Sequence, residues 1–158
     1  MCENKLSSSF VVKIGIVVND IEQTAERYNR LFALGKEAAV RYPDPNKKPA
    51  EGAYKRYHGE EVHPKLKSCI VDLSPVYLEI LEPADEEKSP WRTYLETYGP
   101  GVCFLSFYID GFEQHIDLME KGGYPMSFVE EKMFERYAYF DTQEQLGVTI
   151  ELKERKSR

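Results

Sequence analysis

From Phe10 to Val18 the chain alternates. Val12, Ile14, Ile16 and Val18 fall on one side of an extended strand, and Val11, Lys13, Gly15 and Val17 on the other. After Asn19 the period changes to a helical one, with Ile21, Ala25, Tyr28 and Leu31 or Phe32 on a single stripe. Asn19 with Glu22 three residues on has the form of a capping box, and Gly35 is placed to end the helix in the left-handed conformation. The succession returns 91 positions later: Lys13 to Gln23 corresponds to Phe104 to Gln114, with Asp110 and Glu113 at the cap. A second pair of segments also repeats. Val76 to Glu82 matches Val148 to Glu154, so Glu79 and Glu151 hold equivalent places in two related strands.

Other elements follow from punctuation. A short strand fits within Lys36 to Pro43, and Asp44 to Gly52 is a polar rim loop or lid. Tyr54 to His63 is ambiguous, whereas Lys65 to Leu73 and Val76 to Leu81 form a hairpin around Ser74 and Pro75. Ser89 as N-cap, Pro90 at the first helical position and Gly99 after the last turn mark a linker helix. Beyond it come a strand from Val102 to Ile109 and a helix over Phe112, Ile116 and Met119 that stops at Gly122 and Gly123. Strands near Met126 to Val129, Phe134 to Phe140 and Val148 to Leu152 complete the chain. The fold class is therefore α+β: two βαβββ modules forming a concave sheet cup, with the helices on the outer face.

The 158 residues, 42% hydrophobic, suffice for one good core, and each repeat is short for a separate domain. The expected organisation is a single domain with module one at about 9–83, a linker at about 84–100 and module two at about 101–154. A net charge of −6, a pI near 5.2 and the lack of a concentrated basic face argue against nucleic acid as partner. Lys153 to Arg158 reads as a solvated tail. The polar start from Met1 to Ser9 and the lack of a long apolar run predict no signal peptide, no membrane partner and a cytoplasmic protein. Cys2, Cys69 and Cys103 lack metal or redox spacing, which fits a reducing compartment.

Strand alternation carries the chemistry. If the modules pair about a pseudo-twofold, Lys13, Glu79, Phe104 and Glu151 converge on the concave surface. Two carboxylates about 4 Å apart repel by roughly 4 kcal/mol at an effective dielectric near 20, so a cation is needed between them. That cation is a divalent metal or the Lys13 ammonium; the bland alternative puts one glutamate at a wet rim with no role. Tyr77, Phe104, Ser106 and Tyr108 share this face and suit a flat or partly apolar small-molecule ligand, although core packing explains the same pattern. Tyr137, Tyr139 and Phe140 offer further wall, with the strand parity open. His63 is the histidine placed to enter the cup, His115 reads as surface, Trp91 as linker-helix packing, and Cys103 as core on the helix side.

These residues, together with Ser89 to Phe107 leading into module two, resemble the vicinal oxygen chelate superfamily, the glyoxalase, bleomycin resistance and extradiol dioxygenase fold. Within it the chain looks most like the methylmalonyl-CoA epimerase and glyoxalase-like groups, from Lys13 to Glu154. The resemblance implies a homodimer and an inner-face divalent metal held by His, Gln or Glu, His and Glu. Those places fall here at Lys13, Glu79, Phe104 and Glu151. Phe104 has no lone pair and Lys13 is a cation, so no metal or other cofactor is expected, with a weakly held Mg²⁺ or Mn²⁺ left open. The implied function is an isomerase, epimerase or lyase acting at a carbonyl or acyl group. In it Lys13 takes the metal's electrostatic role, and Glu79 or Glu151 moves the proton. The alternatives are a non-catalytic binding or sequestration protein of the bleomycin-resistance kind, and a metal enzyme with a rearranged ligand set that uses His63.

Overall fold

The computed structural model describes residues 4–156, so Cys2 and the end of the basic tail lie outside the described residues. Lys13–Val17 forms β1 and Ile21–Leu31 forms α1. Strands β2 (Val40–Arg41), β3 (Tyr54–Tyr57), β4 (Glu60–Glu61), β5 (Leu66–Asp72) and β6 (Tyr77–Pro83) follow. Next come α2 (Pro90–Tyr98), β7 (Gly101–Tyr108), α3 (Phe112–Lys121), β8 (Met126–Glu131) and β9 (Glu135–Phe140). The short α4 (Gln143–Leu146) and β10 (Thr149–Arg155) close the described chain. Among the described residues the strands form one ten-stranded sheet in the order β2-β5-β6-β1-β7-β10-β9-β8-β3-β4. The repeat shows in the pairing: β1 runs parallel to β6 and β7 parallel to β10, while β1 and β7 join antiparallel at the centre.

The ambiguous stretch from Tyr54 to His63 explains the far end of the sheet. Its β3–β4 hairpin leaves the first half of the chain and adds β3 antiparallel to β8 of the second half. The polar segment before it, read as a rim loop or lid, is thus the lead-in to a strand arm.

Both faces of the sheet are covered. On the outer face α1 sets Ile21 and Ala25 against Val18, Cys69, Val71, Leu78 and Ile80. Helix α3 sets Phe112 and Met119 against Val129, Ala138, Phe140, Ile150 and Leu152. The inner face gathers Val17, Leu81, Trp91, Phe104, Phe128, Tyr137 and Tyr139 into one cluster. On a flat sheet β6 and β8, five strands apart, would stand roughly 24 Å from each other. Leu81 and Phe128 nevertheless belong to one cluster, so the sheet curls around the Trp91 side chain that α2 inserts. Trp91 donates its Nε1 proton to the Tyr139 hydroxyl at 3.2 Å, which makes it the packing residue its sequence context indicates.

Local expectations needed correction where a distant segment intervened. Asp20, not Asn19, caps α1 by accepting from the Gln23 amide at 3.0 Å, and Gly111 rather than Asp110 takes the cap position of α3. Repeat-related carboxylates from the closing strands complete both caps. Glu82 accepts from the Ile21 amide at 3.0 Å, and Glu154 from the Gly111 and Phe112 amides at 3.0 and 3.2 Å. Helix α1 ends at Phe32 in extended backbone, so Gly35 is no left-handed cap; Leu31 points to solvent, 77% exposed. His115 is buried rather than surface, because Leu6 and Ser7 lie over α3. Its Nδ1 is 2.7 Å from the Gly111 carbonyl and its Nε2 accepts from the Ser7 amide at 3.1 Å. Cys103 is core, but in the inner cluster rather than under the helix. The register shifts where Gly15 faces Phe104 and Ile16 faces Val102, which turns Cys103 inward.

Candidate active site

The register brings the charged side chains together. Lys13 on β1 lies opposite Ser106 on β7, and Ser106 lies opposite Glu151 on β10, so the three form one row across three strands. Tyr77 on β6 adjoins Lys13, and Glu79 is two residues further along the same face. The Lys13 Nζ is 3.3 Å from Glu151 Oε1 and 3.4 Å from Glu79 Oε2. Lys13 is 3% exposed and Glu151 1%, whereas Glu79 is 26% exposed and forms the solvent side of the cluster. Ser106 donates its hydroxyl proton to Glu151 Oε1 at 2.7 Å. The ammonium also lies 5.3 Å from the centre of the Phe104 ring.

Gly15 is required by this arrangement. A β-carbon there would fall 2.0 Å from Phe104 Cε1, so the ring lies where any other residue would place its side chain. Phe104 therefore fills the inner end of the face and fixes one wall around Lys13. Burial by itself would lower the Lys13 pKa, but Glu151 and then Glu79 outweigh it and raise the value above that of an ordinary lysine. The ammonium is thus kept protonated. Its proton is not available for release at neutral pH, and the residue acts as a fixed positive charge.

The donors present do not fit a family-type metal. Of the four places that the resemblance assigns, one holds a phenyl ring and another an ammonium within 3.3–3.4 Å of both carboxylates. Among the described residues no three His, Cys, Asp or Glu side chains converge as a metal-holding group. His63 does not supply the missing ligand: its side chain is 75% exposed and faces Glu61 at 3.1 Å, because the end of the β3–β4 hairpin carries it outward.

The expected ligand-contact residues separate into two sets. Tyr77 and Tyr108 are half-buried on the inner face, while Phe104 and Ser106 are fully buried and hold the cluster from behind. Burial raises the Tyr77 pKa, with Lys13 acting in the opposite direction. The open parity of β9 resolves with Tyr137 and Tyr139 inward and Phe140 outward.

A second polar row was not read from the sequence. Tyr108, Lys153, Tyr137, Glu130 and Lys55 stand opposite one another across β7, β10, β9, β8 and β3. Tyr137 donates to Glu130 Oε2, and Lys55 Nζ is 3.7 Å from the other oxygen of Glu130. Burial, and then Glu130, push the Tyr137 pKa well up. Lys153 shares the face of Glu151 by alternation and was legible; Glu130 and Lys55 join it only through the β3–β8 pairing. Two surface cavities lie elsewhere. One of about 340 Å³ runs between α3 and β8, and one of about 550 Å³ is lined by Glu60, Glu61 and Asp85 to Lys88. Neither is lined by Lys13, Glu79 or Glu151.

Known proteins share this architecture. The methylmalonyl-CoA epimerase of Mycobacterium tuberculosis is 19% identical and superposes with a TM-score of 0.59, over 99% of this chain and 97% of its own. A Streptomyces coelicolor methylmalonyl-CoA epimerase in complex with 2-nitronate-propionyl-CoA is 18% identical, TM-score 0.61, over 97% of this chain and 100% of that one. A methylmalonyl-CoA epimerase in complex with methylmalonyl-CoA and NH4+ is likewise 18% identical, TM-score 0.61, over 97% of each chain. At these identities the likeness is one of fold. No curated protein sequence matches the chain. The family model for the Glyoxalase/Bleomycin resistance protein/Dioxygenase superfamily matches residues 13–140. With the paired strand–helix repeats, the parallel β1–β6 and β7–β10 pairs and this match, the chain belongs to the glyoxalase/bleomycin resistance/dioxygenase superfamily.

Proposed function

We propose that this protein is an isomerase- or epimerase-type enzyme acting beside a carbonyl or acyl group, with the Lys13 ammonium in place of a metal. The observation that carries the reading is the cluster itself: one buried cation between two carboxylates, of which Glu79 alone is substantially exposed. Glu79 removes the proton next to the carbonyl. The C–H electron pair moves into an enolate, whose oxygen is stabilised by the ammonium as negative charge develops. Glu151 and Ser106 hold Lys13 in position. Return of that proton from Glu79 to the neighbouring carbon gives the isomer. A solvent-derived proton added to the opposite face, with Glu79 passing its own proton to water, gives the epimer, and expulsion of a β-leaving group would make the same intermediate serve a lyase. The epimerase solved with methylmalonyl-CoA and NH4+ supports the idea that this fold accommodates an ammonium ion together with an acyl-CoA. The reading includes one two-module domain, a homodimer and a cytoplasmic setting.

A second reading has a specific observation in its favour. Both glutamates contact Lys13, as expected of a cup that binds a ligand without reaction. Incubation with methylmalonyl-CoA in D2O separates the two. Loss of the α-proton signal, abolished in Glu79→Gln, supports the enzyme. Saturable binding without exchange supports the sequestering protein and overturns the first reading.

A further inference from the structure

We infer that the outer end of the inner face is a binding site for an oxyanion, formed by Lys153 and Arg155 of β10 with Lys55 and Lys132 around them. The proposal rests on the reading of the inner face as the ligand surface and adds the chemical class of the group that enters there. Cations are in excess at this end although the whole chain carries −6. Lys153 and Lys132 share one carboxylate, Glu135, at 3.2 and 3.9 Å, and among the described residues Lys55 pairs with Glu130 alone, at 3.7 Å. Arg155 pairs with no carboxylate among the described residues. It donates to the Tyr108 hydroxyl at 2.9 Å and lies 5.0 Å over that ring. Four cations thus face two carboxylates.

The setting is a built one. Lys153 is 13% exposed, and Lys132 and Lys153 lie over the buried Tyr137 ring at 5.5 and 5.8 Å. Aromatic faces and shared carboxylates hold these cations without neutralising them, which leaves an attractive field at the mouth. Residues two apart on a strand face are about 7 Å apart, so an anion at Lys153 lies one such step, two residues, from Glu151. A ligand with a carboxylate or phosphate a few bonds from its reacting carbonyl spans that step.

The test is calorimetric titration of the full chain with inorganic pyrophosphate and, separately, with glutarate, at low and at raised salt. Binding of either, weakened by salt and weakened about tenfold in both Lys153→Gln and Arg155→Gln, supports the site. The ligand that binds identifies phosphate or carboxylate as the preferred group. Binding of neither, or binding unchanged in Arg155→Gln, overturns it. Arg155 is exposed, so its variant decides the matter if Lys153→Gln does not fold. No proton transfer is read, so failure here and failure of the Glu79 reading are distinguishable.

Discussion

Lys13 Nζ stands 3.3 Å from Glu151 Oε1 in a setting where both side chains are almost fully buried. The contact joins the first strand of one repeat to the last strand of the other. A buried pair of this kind is weak evidence for net stability, because desolvation offsets much of the attraction, but removing one partner leaves an uncompensated charge. Lys13→Met is expected to destabilise the fold by about 3–5 kcal/mol. Adding Glu151→Gln should recover a large part of that, which a double-mutant cycle in urea measures. Additive losses would show that the two residues are not coupled.

The same pair sets an alkaline limit. The folded-state pKa of Lys13 is raised, so its contribution is fully present below the unfolded value of 10.5 and is lost as pH rises through the higher folded value. Tyr137 and Tyr139 act in the same direction, since burial raises their pKa well above 10.0 and the unfolded chain ionises first. Urea midpoints should therefore fall above pH 10, and the fall should be shallower in Lys13→Met. An equal slope in the two proteins would remove Lys13 from the account.

Cys103 provides a separate alkaline probe. Burial pushes its thiol up to about 12 from 9.0. Native protein should react slowly with a thiol reagent at pH 8 through this residue, and quickly once unfolded. Peptide mapping after labelling distinguishes Cys103 from the other cysteines. Rapid native labelling at position 103 would contradict the inner packing.

Gly15 tests the packing behind the site. Gly15→Ala forces the Phe104 ring out of its place, and overpacking of this kind costs about 1–3 kcal/mol or more. Thermal unfolding should show the loss, and Phe104→Leu should relieve part of it. A neutral Gly15→Ala would mean that the ring is free to move.

The assignment of family metal places can be tested by rebuilding them. Lys13→His together with Phe104→His supplies two imidazoles beside Glu79 and Glu151, and thermal stability should then rise on addition of Mn²⁺ or Ni²⁺. In the unmodified protein a chelator should leave the melting temperature unchanged. A fall on chelation would contradict the ammonium reading.

Much of this was legible because strand period and repeat are local properties. Alternation assigns Lys13, Glu79 and Glu151 to the non-helix sides of their strands, and the 91-residue offset relates the two strand–helix units, so that pairing about a pseudo-twofold brings the three to one face. The linker helix was equally legible, since Ser89, Pro90 and Gly99 act on their own neighbours; Ser89 accepts from the Arg92 amide at 3.1 Å. The helix caps were not. Glu82 and Glu154 reach them from strands far away in sequence, at no spacing a local pattern contains.

The order of residue types along the chain was enough to determine the repeat and the inner-face parity of Lys13, Glu79 and Glu151, because these depend on side-chain chemistry and a two-residue period. Tertiary structure decided which partners those charges meet. It brought β3 across to β8, set Lys55 beside Glu130, turned His63 outward, buried His115 beneath Ser7 and laid Phe104 over Gly15. Each of these depends on contacts between segments distant in sequence, the sheet register and the Trp91 cluster on the inner face and Ser7 against α3 on the outer, and no single segment specifies them.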